Sequence, residues 1–144
     1  MASEEKIVVR QIGRPHKENA DALLVWFCES LDLSGNKDIM GPEMLREIIN
    51  GSLNGNGVTS KELNWKLNVP RTTVIYHLNR FIYSGIVIRR GRRYYLRSED
   101  MKSTLQELQA DMIREFQRMM DMAQKLDGIL EDETYARRRR AKKG

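Results

Sequence analysis

The sequence predicts a mainly α-helical fold with one small β-hairpin, an α+β class, on three observations. Between Val58 and Arg97, two short helix signals meet at Asn68-Val69-Pro70. They are followed by two β-rich triplets, Ile86-Val87-Ile88 and Tyr94-Tyr95-Leu96, on either side of a glycine. From Glu99 to Leu130 apolar residues recur at spacings of three and four, with no Pro or Gly before Gly128, which marks one long helix. The domain plan is an N-terminal arm and helix over 1–40, a compact domain over 41–97, a long helix over 98–132 and a disordered basic tail over 133–144.

In chain order, Lys6 to Ile12 reads as a short strand or extended arm. Asn19 to Leu31 reads as a helix whose stripe is Ala20, Leu23, Leu24, Phe27 and Leu31. Leu33 to Asp38 is a loop. Pro42 to Asn50 reads as a helix carrying Leu45, Ile48 and Ile49, and the Gly- and Asn-rich run from Gly51 to Gly57 as a flexible connector. Thr59 followed by Glu62 is a capping box, so a helix begins near Ser60 with Leu63 and Leu67 on one face. It is ended by Asn68-Val69-Pro70, because Pro70 restricts the residue before it and fits the first turn of a second helix. That helix runs to about Ser84, where Gly85 stops it. On a helical wheel Val74, Leu78 and Phe81 share a stripe, while Thr72, Thr73, Tyr76 and Arg80 fall on the other side. Trp65 points away from Leu63 and Leu67 and is read as packing on another segment or subunit.

The charge is segregated. Lys and Arg minus Asp and Glu gives −3 for 1–58, +8 for 59–97, −6 for 98–133 and +6 for 134–144, within a total of +5. Arg89, Arg90, Arg92, Arg93 and Arg97 crowd one hairpin. Like charges facing one another across strands repel, so this crowding points to an anionic partner.

The succession of helix, turn, helix opening Pro-Arg-Thr-Thr-Val, then His77-Leu-Asn-Arg-Phe-Ile-Tyr-Ser-Gly-Ile-Val87, then an arginine-tipped hairpin resembles the winged helix-turn-helix of ArsR-like transcription regulators, over roughly Gly41 to Arg97. The resemblance implies a winged helix-turn-helix followed by a long C-terminal dimerisation helix. It implies that Arg71, Thr72, Thr73, Tyr76 and Arg80 lie in the major groove of double-stranded DNA, and that Arg92 and Arg93 approach the backbone or minor groove. Arg89 and Arg90 join them on the hairpin. His77 borders this surface about 60° from the core stripe; a histidine bonded within the protein at the core edge is the favoured reading there.

The long helix holds Leu105, Met112, Met119 and Leu126 in one column, with Leu108 and Phe116 beside it. A helix of that length has to cover its stripe; a homodimer formed by this helix with Leu23, Leu24 and Phe27 of the N-terminal helix does so, and the alternative is that both helices fold back on their own compact domain. Two-fold symmetry then implies an inverted-repeat site, with half-sites about 34 Å apart. Arg137 to Arg140 with Lys142 and Lys143 read as a tail adding sequence-independent affinity.

No nucleotide-binding loop, nucleophile elbow or His-Glu-x-x-His motif is present, and His16, His77 and Cys28 are scattered. The expectation is a protein that is not an enzyme and uses no metal or cofactor, with Cys28 a small core residue. No stretch is long and apolar enough to span a membrane, which places the chain in the cytoplasm, on the nucleoid. A sequence-specific repressor, a low-specificity architectural protein coating DNA, and a protein-interaction adaptor are the three functions compatible with these residues.

Overall fold

A computed structural model describes residues 6–33 and 39–143. The chain is mainly helical, with a small antiparallel sheet and a long C-terminal helix. It divides into two units, Met1–Leu108 and Gln109–Gly144.

In the first unit, α1 (Ala20–Ser30) is capped by Asn19, whose side chain accepts from the Ala22 N–H at 2.8 Å. It packs on α2 (Met40–Leu53) of its own chain and buries Leu24 and Cys28. Residues 6–19, before α1, form an arm with no strand. It is pinned by the Lys6 N–H on the Tyr83 carbonyl (2.9 Å), the Arg10 N–H on the Ser30 carbonyl (2.7 Å) and the Trp26 indole N–H on the Gly13 carbonyl (2.8 Å). Of the expected loop, Leu33 is fully buried, and 34–38 lie outside the described residues.

The run from Gly51 to Gly57 is no flexible connector. Helix α2 continues through Leu53, and the Gly51 carbonyl accepts from the N–H groups of Asn56 (3.1 Å) and Gly57 (2.9 Å), closing a tight turn. A Cβ on Gly57, at φ +65°, would sit 2.7 Å from the Tyr95 ring and 2.9 Å from the Tyr94 carbonyl oxygen. Gly57→Ala is therefore expected to destabilise the protein by about 2 kcal/mol or more, through left-handed strain and a clash with backbone. Urea titration of the variant against the native protein measures it.

That turn delivers β1 (Val58–Thr59), which the sequence did not announce. With β2 (Val87–Arg90) and β3 (Arg93–Leu96) it forms a three-stranded sheet in the order β1-β3-β2. Val58 faces Tyr94, Thr59 faces Arg93, and Arg90 pairs with Arg93 across the two-residue turn Gly91-Arg92. Gly91 has φ +64°, the conformation that a hairpin turn opening on glycine demands. Between β1 and β2 lie α3 (Ser60–Leu67) and α4 (Arg71–Tyr83). The core gathers Met44, Leu45 and Ile48 from α2, Leu63 from α3, Val74, Leu78 and Phe81 from α4, and Ile86, Val87 and Leu96 from the hairpin.

Helix α5 runs from Met101 to Lys143, so the basic segment after 133 is helical, not a disordered tail. Its start is capped by Asp100, which accepts from the Ser103 N–H at 2.7 Å. That bond holds the Asp100 carboxyl below its usual range. The cap is therefore kept at neutral pH and is lost as pH falls through the lowered value. Thr104 and Leu108 are buried in the first unit, and Met101 and Leu105 pack against its core.

These placements correct several expected dimer contacts. Leu24 and Leu108 belong to the chain's own core, and Phe27 and Leu105 pack against it, so none of the four is a bare interface residue. Leu23 and Met112 are half-buried, and Phe116, Met119 and Leu126 are exposed.

Candidate nucleic-acid interface

Thr59 sets the geometry of the helix pair. Its hydroxyl accepts from the Glu62 N–H at 3.0 Å while the Glu62 carboxylate accepts from the Thr59 N–H at 3.4 Å, a complete capping box. Helix α3 ends at Asn68 in the left-handed conformation (φ 52°), and the Asn64 amide donates to the Val69 carbonyl, closing the turn into Pro70. Pro70 is the extended cap, one residue before the helix proper.

Helix α4 buries Val74, His77, Leu78 and Phe81 and exposes the opposite side. Arg71 and Thr72 are exposed at its start, Thr73 is half-buried, and Tyr76 is 48% exposed. Asn79 and Tyr83 are also exposed. Positions 72, 76, 79 and 83 fall at spacings of four, three and four and form one outward line. Asn79 and Tyr83 were not among the expected contacts, although that spacing was legible.

Two candidate contacts leave this surface, His77 as its favoured reading has it and Arg80 against expectation. His77 is fully buried, its ring tilted against Phe81 and edge-on to Tyr76, so it cannot meet a base. Arg80 turns onto its own chain. Its guanidinium donates to the carbonyls of Asp32 (2.8 Å) and Leu33 (3.2 Å) and to the Tyr76 hydroxyl (3.3 Å). The Asp32 carboxylate, 3.8 Å away, also pairs with Arg10 at 2.9 Å. Arg80 thus ties α4 to the segment after α1 and holds the Tyr76 ring. Arg80→Ala leaves two carbonyls without this donor and is expected to cost about 1–3 kcal/mol of stability. Thermal denaturation checks this; an unchanged midpoint would return Arg80 to the outer surface.

On the hairpin, Arg89 donates to the Gly91 carbonyl at 2.8 Å and lies over the Tyr94 ring, and Arg90 lies over Tyr95. Arg92 occupies the turn and is exposed. Arg93 is one step off the tip. It donates to the Asn56 carbonyl at 3.0 Å and approaches Glu62 at 3.7 Å, bracing the turn end of the hairpin against α3. The cations with no ion pair among the described residues therefore include Arg71 and Arg92, at the start of α4 and the hairpin turn. Trp65 does not pack as expected; it stands 83% exposed on α3. Beside it, Lys66 pairs with Glu47 at 2.8 Å, and that hydrogen bond raises its pKa.

Among the described residues no group of three or more His, Cys, Asp or Glu side chains is placed to hold a metal ion, and no helix is long and apolar enough to cross a membrane. Comparison of the chain with protein-family models, curated proteins and solved structures gives no match.

Proposed function

We propose that this protein is a homodimeric, sequence-specific regulator of transcription that binds double-stranded DNA, most simply a repressor by occlusion, on the winged helix-turn-helix plan of ArsR-like regulators. The reading places it in the cytoplasm, on the nucleoid, with no enzymatic step and no cofactor. The observation that carries it is the outward line Thr72, Tyr76, Asn79 and Tyr83, with Arg71 at its head, on a helix whose other side is core. A helix of this kind fits the major groove, where Arg reads guanine, Asn reads adenine and Thr packs on a thymine methyl. The order α2-β1-α3-α4-β2-β3 supports the same plan, because it sets an arginine-rich hairpin beside the reading helix. Arg89, Arg90 and Arg92 then meet phosphate or the minor groove, and Arg93 supports them from behind.

Selection of bound fragments from random duplex tests this. The expected result is a short inverted repeat whose binding survives excess random DNA between about 50 and 200 mM salt. Binding that falls equally for every sequence as salt rises overturns specificity in favour of a coating protein. Absence of any DNA binding returns the adaptor reading, in which exposed Trp65 is a ready contact.

A further inference from the structure

The unit Gln109–Gly144 is a helix with one apolar side. Eight large side chains between Ile113 and Leu130, among them Phe116, Met119, Met120 and Leu126, are each about half exposed. At roughly 100 Å² apiece, covering them removes on the order of 800 Å² per chain, the size of one side of a specific protein interface. Arg114, Arg118, Asp121, Lys125 and Asp132 take the opposite side.

The charge along this helix decides which occupant fits. Residues 109–133 hold seven acids against three bases, and 134–144 hold six bases and no acid. Two copies running in the same direction would set Arg137–Arg140 beside the same four arginines, and Glu131-Asp132-Glu133 beside the same three acids. Like charges at neighbouring positions of paired helices repel. Reversing one copy brings the basic end onto an acidic stretch and sets the two helix dipoles in opposition, which is favourable.

We propose that the 109–143 helix pairs antiparallel with the same helix of a second copy, Arg137 and Arg140 reaching the partner's Asp111 and Glu115, the two acids that within one chain pair with Arg114 and Arg118. This rests on the homodimer reading above and gives the basic run a protein partner in place of DNA. Aligning Arg138 with Met112 makes the chains cross near Lys125 and Leu126, inside the apolar run.

Disulfide mapping on the full chain tests it, with the native protein as blank because Cys28 is buried. Under mild oxidation Leu126→Cys is expected to cross-link to itself. Met112→Cys is expected to remain uncross-linked alone and to cross-link when mixed with Arg138→Cys. Self-cross-linking of Met112→Cys as fast as Leu126→Cys means a parallel pair; it overturns the antiparallel clasp and leaves the homodimer standing. Failure of Met112→Cys to cross-link with Arg138→Cys, while Leu126→Cys still cross-links to itself, overturns the clasp alone. A native chain that sediments as a monomer at micromolar concentration overturns both.

Discussion

Arg71→Ala is expected to weaken binding to the selected duplex by about ten- to a hundred-fold, ~1–3 kcal/mol, while weakening random duplex much less. The residue stands exposed at the first position of α4, without an ion pair among the described residues, so its guanidinium has its donors available for a base edge. Tyr76→Ala is expected to act in the same direction by a smaller factor. Tyr76 also receives the Arg80 donor, so part of its loss comes from a looser outer surface. Arg92→Ala, in the hairpin turn, should instead lower affinity for both duplexes alike and reduce the salt slope by about one. Fluorescence anisotropy with selected and random duplexes separates the two patterns. Equal losses on both duplexes for Arg71 and Tyr76 would remove base reading from α4.

The second large effect is on stability. Leu108→Ala is expected to cost about 2–5 kcal/mol, because the side chain is 3% exposed and its removal leaves a cavity in the first unit. Leu126→Ala, on the exposed side of α5, should leave the unfolding of that unit unchanged and weaken self-association. Urea denaturation at low and high protein concentration distinguishes them. A concentration-dependent loss for Leu108→Ala would make it an interface residue after all.

Leu108 shows where the sequence stops being legible. A stripe of apolar residues states which side of a helix seeks cover and is silent on whose surface supplies it. Leu105 and Leu108 find cover in their own chain, while Phe116 and Leu126, in the same periodic pattern, stay more than half exposed. The helix pair was legible to within a residue because its signals are local: Thr59 with Glu62 starts α3, Pro70 separates the helices and Gly85 (φ +87°) ends α4. Strand β1 was invisible, being two residues long and paired with residues 93 and 94, far along the chain. The run after Gly51 reads as linker by composition, yet its glycines admit the close approach of Val58 and Tyr95. The basic end of α5 reads as solvated by charge, but Arg, Ala and Lys are good helix formers and nothing there breaks a helix. In the candidate site, the exposed positions of α4 followed from the wheel. Arg80 did not, since its partners Asp32 and Leu33 lie far back in the sequence.

Thr59 does two jobs at once: it pairs with Arg93 in the sheet and caps α3. The turn end of the hairpin and the first turn of the helix pair thus share one residue, which couples the strand beside Arg92 to the start of α3. On the proposed reading such a head is a preset caliper: a double helix whose groove suits it would be gripped without rearrangement, and any other would have to bend to be held.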